Sequence, residues 1–162
     1  EEAQISKAAL YYYFPNKEAI YERVVIESLD VLVHSVTTAV ARAEGPAAQV
    51  RAFMHAAADF LDTQRDHWLA AARAFQEEEH IEQRSVALHL RDSYEKVLRR
   101  CIAEGIEAGV FQPVDVSMAT RFMLSGLNYV TRWHSPAGKL KVREVMDQFV
   151  DMGLHGLYRR EA

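Results

Sequence analysis

The sequence predicts an all-α protein. Apolar residues recur at spacings of three and four over most of the 162 residues, no stretch alternates as a half-buried strand would, and only 7 Gly and 4 Pro are present. Few turn residues and a helical period favour long helices with few connections over a sandwich of short strands. Hydrophobic residues at 49% and charged residues at 26% suit one domain with a sizeable core, or a small head on a larger body.

The elements follow in order. Ser6 is a good N-cap for a short helix over about 6–14, and Pro15 stops it. Asn16 can cap the next helix, which runs to about Ala43 with Ile20, Val24, Ser28, Leu32, Ser35, Val36 and Val40 as its apolar stripe. Gly45-Pro46 ends it. Residues 47–64 repeat the pattern with Val50, Phe53, Met54, Ala57, Phe60 and Leu61. Asp66 is placed to cap a short helix through Trp68, Ala72 and Phe75. A longer helix is expected from about Ile81 to Gly105 or Gly109, followed by a loop over 110–113. Asp115 caps residues 116–134, Ser135-Pro136-Ala137-Gly138 is a turn, and the last helix covers about 141–159.

Composition excludes several classes. Cys101 is the only cysteine, so an intrachain disulfide and a multi-cysteine metal site are both excluded, and a reducing cytoplasm is the natural setting. The seven His residues form no recognisable metal set. No Gly-rich phosphate loop, nucleophile elbow or His-Glu-x-x-His is present, so neither an enzyme nor a cofactor is expected. No apolar run approaches the roughly 20 residues of a membrane span, and no membrane partner is expected. The net charge of −4 does not by itself point to nucleic acid.

The head carries a more specific signal, Ile5-Ser6-Lys7-Ala8-Ala9-Leu10-Tyr11-Tyr12-Tyr13-Phe14-Pro15-Asn16-Lys17-Glu18-Ala19-Ile20. Ala8 and Ala9 keep the start of its helix thin enough to enter a major groove. Leu10 and Phe14, four apart, share a face and can pack the helix onto the body. Lys7 and Tyr11 then lie on another face, within reach of base edges, while Tyr12, Tyr13 and Lys17 can reach phosphates. Taken alone, Tyr11–Phe14 also reads as an aromatic core cluster.

As a whole, the sixteen-residue stretch resembles the recognition-helix signature of the TetR family of transcriptional regulators. That resemblance implies a partial helix-turn-helix domain over 1–28 and a ligand-binding and dimerisation domain over 29–162. It implies that the first helices of the head precede residue 1, on the order of 30 residues for a three-helix head. The expected DNA contacts are Lys7, Ala8, Tyr11, Tyr12, Tyr13 and Lys17. The expected partners are a double-stranded operator and a small apolar ligand.

The resemblance extends along the body. Ile102-Ala103-Glu104-Gly105-Ile106-Glu107-Ala108-Gly109-Val110-Phe111 is similar to the stretch before the penultimate helix of many members. Leu127-Asn128-Tyr129-Val130-Thr131-Arg132-Trp133-His134-Ser135-Pro136-Ala137-Gly138 resembles a branch that regulates fatty-acid or sterol catabolism and responds to acyl-coenzyme A esters, with His134 replacing an aromatic. Met54, Ala57, Leu61, Phe75, Tyr94, Phe122, Tyr129 and Trp133 are the candidate ligand-binding residues; each alone also reads as ordinary core. The last two helices are apolar on more than one face and therefore need a second partner. Leu127, Val130, Met146, Phe149, Val150, Gly153 and Leu154 are the expected homodimer interface. Two other readings of the body remain open: a dimeric ligand sensor without DNA binding, and a small helical-bundle enzyme.

Overall fold

The computed structural model describes residues 12–74 and 84–157. Six α-helices follow one another: α1 (Lys17–Ala41), α2 (Pro46–Thr63), α3 (Arg65–Ala74), α4 (Arg84–Glu107), α5 (Val116–Tyr129) with a 3-10 turn over Val130–Arg132, and α6 (Val142–Leu157). Tyr12 and Tyr13 are helical as well. No β-sheet forms among the described residues. α1 continues unbroken through residue 28, where the sequence places a domain boundary.

Each boundary has a local cause. Asn16 Oδ1 accepts the Ala19 N–H at 2.7 Å and starts α1, and Asp115 Oδ1 accepts the Met118 N–H at 2.9 Å and starts α5. Pro46 opens α2, where its missing N–H costs nothing. α3 starts at Arg65, so Asp66 lies in the first turn instead of capping it. α5 is shorter than the expected 116–134. The Trp133 and His134 N–H groups both donate to the Val130 carbonyl, at 3.2 and 2.8 Å. The Arg65 guanidinium takes the Thr131 and His134 carbonyls at 3.4 and 3.3 Å. Arg65 thus supplies donors to carbonyls at the end of this segment, where helical partners run out.

The turn that follows is pinned on both sides. His134 is buried, and its Nε2–H donates to the Leu140 carbonyl at 2.7 Å. The Val142 N–H donates to Asp62 Oδ2 at 3.0 Å, which supplies α6 with its first acceptor from the end of α2. Arg65 and Asp62 thus fasten the α5–α6 corner to the α2–α3 corner.

The core faces differ in detail from the expected stripe. On α1 the buried residues are Glu22, Val25, Ser28, Leu29, Leu32, Val36 and Val40. The C-terminal half matches, but near the head Val25 and Leu29 replace Ile20 and Val24, which are half-buried. The reason is that α1 packs against three helices, α2, α3 and α4, so its buried arc is wider than one stripe. α1 also corrects the expectation about apolar length: it is long and apolar enough to cross a membrane by composition, because only Glu27 and Asp30 carry charge between Val24 and Ala41. Its contacts with α2, α3 and α4 make it a core helix of the bundle.

The buried apolar side chains fall into two clusters. The larger draws on all six helices, with Trp68 its member from α3, around Val36, Phe53, Met54, Leu61, Leu98, Leu127 and Met146. The smaller lies toward the head and holds Val25, Leu29, Ala71 and Ala87, with Tyr21, Ala70 and Leu90 packed on it. The Tyr21 hydroxyl donates to the Ala70 carbonyl at 2.7 Å and ties the start of α1 to α3.

Candidate functional site

In the head, Tyr12 and Tyr13 project into solvent, 84% and 77% exposed. Their rings meet edge to face, with centroids 5.2 Å apart, and Lys17 is exposed beside them. Neither tyrosine is core, so the aromatic-cluster alternative does not hold for these two. Lys7, Ala8 and Tyr11 lie outside the described residues.

In the body, Met54, Ala57 and Leu61 recur at three and four along α2 and are fully buried. Tyr94 of α4 belongs to the same buried cluster, its ring centroid 4.8 Å from that of Phe53. The Tyr94 hydroxyl is buried and has no hydrogen-bond partner among the described residues. Burial pushes the pKa of this phenol upward, so it is a neutral donor. These four candidate ligand residues come together; Phe75 lies outside the described residues.

The other three do not join them. Phe122, Tyr129 and Trp133 are exposed, at 66%, 65% and 53%. The residues expected between subunits are instead inside: Leu127, Val130, Met146, Val150 and Leu154 are all buried in the chain's own core. Periodicity separates two faces along α5 and the turn that follows it, one with Leu124, Leu127 and Val130 and one with Phe122, Tyr129 and Trp133. Within the chain, the face expected between subunits is the buried one and the face expected to line the ligand site is the exposed one. Bulk suggests that aromatics belong in the core, but period alone does not say which stripe packs within the chain.

The exposed face is continuous across two helices. A Cβ on Gly153, which is buried, would lie 2.5 Å from Met123 Sδ and 3.7 Å from Phe122 Cε1, so α5 and α6 approach closely there. Half-buried Phe149 lies with its ring 6.4 Å from Trp133. It also covers Gly126, where a Cβ would lie 2.7 Å from the Phe149 ring. Met118 and Met152, 61% and 63% exposed, extend the face.

A charged ladder between α2 and α6 went unread in the sequence. Arg51 pairs with Asp151 and, at 3.3 Å, with Asp147. The His55 Nε2–H donates to Asp147 Oδ1 at 2.5 Å, while the Arg143 guanidinium donates to His55 Nδ1 at 3.1 Å and pairs with Asp59. His55, followed by Arg51, holds the Asp147 carboxyl below its ordinary pKa. Arg51, His55 and Asp59 are spaced by four, and so are Arg143, Asp147 and Asp151. Two such rows of complementary charge were the available signal.

The chain matches two family models, "Bacterial regulatory proteins, tetR family" over residues 1–24 and "Tetracyclin repressor-like, C-terminal domain" over residues 43–157. It is 24% identical to the HTH-type transcriptional repressor KstR2 of Rhodococcus jostii (strain RHA1), over 96% of this chain and 76% of the relative. Among solved structures it is similar to the TetR-family transcriptional regulator PfmR from Thermus thermophilus, at 32% identity and a TM-score of 0.84, covering 96% of this chain and 84% of that one. It also shares its fold with AibR, solved with isovaleryl coenzyme A and operator DNA, at 22% identity and a TM-score of 0.74, covering 92% of this chain and 80% of that one. KstR2 and PfmR are transcriptional regulators and not enzymes, and the chain belongs to the tetracycline-repressor-like family of bacterial transcriptional regulators.

Proposed function

We propose that this regulator is a cytoplasmic repressor that holds a pseudo-palindromic operator as a two-fold dimer and is released by an apolar ligand, an acyl-coenzyme A ester. The observation that carries the dimer is the exposed row of Phe122, Tyr129 and Trp133. Contiguous apolar surface of this kind marks an association site, and a second copy of the row completes a four-helix contact. Residues 1–28 are assigned to the DNA-binding head and 29–162 to the body. Lys7, Ala8 and Tyr11 are assigned to the groove, and Tyr12, Tyr13 and Lys17 to phosphates.

The ligand is assigned to the body between α1, α2 and α4, against Met54, Ala57, Leu61 and Tyr94. The acyl-ester class is supported by the fold shared with AibR in its isovaleryl coenzyme A complex. Release requires that the ligand prefer one spacing of the two heads over the other. α1 spans the distance from Asn16 to the main core, so a small displacement at its body end moves the head by more.

The test uses a form carrying a complete three-helix head and an operator selected from random duplexes. Lys17→Ala should weaken binding to all duplexes alike and lower the salt slope by about 1. Isovaleryl- and octanoyl-coenzyme A are then titrated against the complex. Release by either supports the ligand class. Operator binding that neither ester shifts rejects the ligand class and leaves the regulator intact.

A further inference from the structure

The two core clusters divide α1, α3 and α4 between them. On α1 the change lies between Leu29 of the smaller cluster and Leu32 of the larger. On α3 it lies between Ala71 of the smaller and Trp68 of the larger. On α4 it lies between Leu90, packed on the smaller, and Tyr94 of the larger, one turn apart. α3 and α4 each pack on α1, and all three helices contribute to both clusters. At the change along α4 sits Tyr94, whose hydroxyl is buried and without a hydrogen-bond partner among the described residues.

An unpaired buried hydroxyl is unfavourable relative to a paired one. Phenylalanine would fill the same space beside Phe53 without that cost. A donor retained at a seam between apolar clusters has a use if an apolar molecule brings an acceptor to it. We infer that Tyr94 is the specificity-determining donor of the ligand site: its hydroxyl donates a hydrogen bond to a carbonyl oxygen on an otherwise apolar ligand that seats between α1, α2 and α4, where the larger cluster gives way to the smaller. The inference rests on the ligand-responsive reading above and assigns the ligand's carbonyl a position in it. It also supplies a route to the head. The smaller cluster and the Tyr21–Ala70 hydrogen bond hold the head-side half of α1 to α3. A molecule entering the seam separates the parts that this contact joins.

The test compares the parent with Tyr94→Phe, each with two probe pairs that differ only by the carbonyl. One pair is octanoyl-coenzyme A and its thioether, S-octyl-coenzyme A. The other is 2-decanone and n-decane, which carry no nucleotide. Affinities are read by calorimetry and by thermal shift. The parent should bind at least one carbonyl probe about fivefold to tenfold more tightly than its hydrocarbon twin, a factor set by one buried hydrogen bond. In Tyr94→Phe that preference should vanish while the hydrocarbon affinity stays, and the unliganded variant should melt no lower than the parent. Discrimination confined to the decanone pair upholds Tyr94 and removes the coenzyme A ester as ligand. Three results would overturn the inference: equal affinities within both pairs in the parent, a preference that survives in the variant, or failure of all four probes to bind. A variant that melts well below the parent would do the same, by showing that the hydroxyl holds the fold.

Discussion

Asp147 is held by groups from a helix more than ninety positions earlier in the chain. The His55 ring N–H donates to it, and Arg51 pairs with it. Both lower its pKa, the histidine hydrogen bond most. A carboxyl whose folded pKa is depressed stabilises the fold above its unfolded pKa, and that stabilisation is lost as pH falls through the folded value. Asp147 is 45% exposed, so solvent screens much of the effect. Asp147→Asn should therefore lower the melting temperature by only ~2 °C at pH 7. The gap between parent and variant should begin to narrow below about pH 4, the ordinary carboxylate value, and close as pH falls through the lower value of the folded protein, where the parent's carboxyl is protonated too. Melting curves from pH 3 to pH 7 check this, and a gap that widens toward acid contradicts it. Residue-scale features with local causes were legible in the sequence: Asn16 and Asp115 accept the N–H groups of Ala19 and Met118, three residues on. The Asp147 site was not, because its partners meet only when α2 and α6 pack.

Among the elements, the end of α4 shows how a helix can be specified by its neighbour. Gly109 takes φ 70°, which an L side chain rarely adopts. The chain then doubles back, and the Val110 and Phe111 N–H groups both donate to the Gly105 carbonyl at 2.9 Å. Phe111 is 1% exposed, its ring directly over Gly105, where a Cβ would overlap it. Gly105→Ala must push the ring away, at a cost of about 1–3 kcal/mol. Urea unfolding should show that loss with an unchanged slope. Phe111→Leu added to Gly105→Ala should cost less than the sum of the two single changes, because the two residues share one contact. Additive costs would mean that the overlap is relieved elsewhere. The two glycines and the loop over 110–113 could be read from sequence. The overlap with Phe111 could not, since it depends on the direction of the returning chain. The same limit applies to α1, where the arc buried against three helices exceeds the stripe that periodicity marks.

For the whole molecule, the two faces of α5 and α6 make opposite predictions. Leu127, Val130, Met146, Val150 and Leu154 face the chain's own core, whereas Met118, Phe122, Tyr129, Trp133 and Met152 face solvent. Five half-exposed large side chains offer on the order of 100 Å² each, roughly 500 Å² together. That is a large share of the ~800 Å² per partner of a stable interface. If the proposed dimer forms there, Phe122→Glu and Trp133→Glu each place an unpaired carboxylate at the centre of the contact. Both variants should keep the parent's helical circular dichroism and sediment as monomers at concentrations where the parent is a dimer. Leu127→Glu is the control on the other face: it buries a charge inside the bundle and should unfold the chain outright. Gly126→Leu belongs with it, because Phe149 occupies the space above Gly126, so the substitution should disturb the α5–α6 packing and fill no ligand site. If Phe122→Glu and Trp133→Glu both remain dimeric, the two-fold contact lies elsewhere and the exposed aromatic row needs another partner. If they become monomeric and also lose operator affinity in the form with a complete head, dimerisation and DNA binding are joined as the proposed repressor requires, since each half-site is held by one subunit.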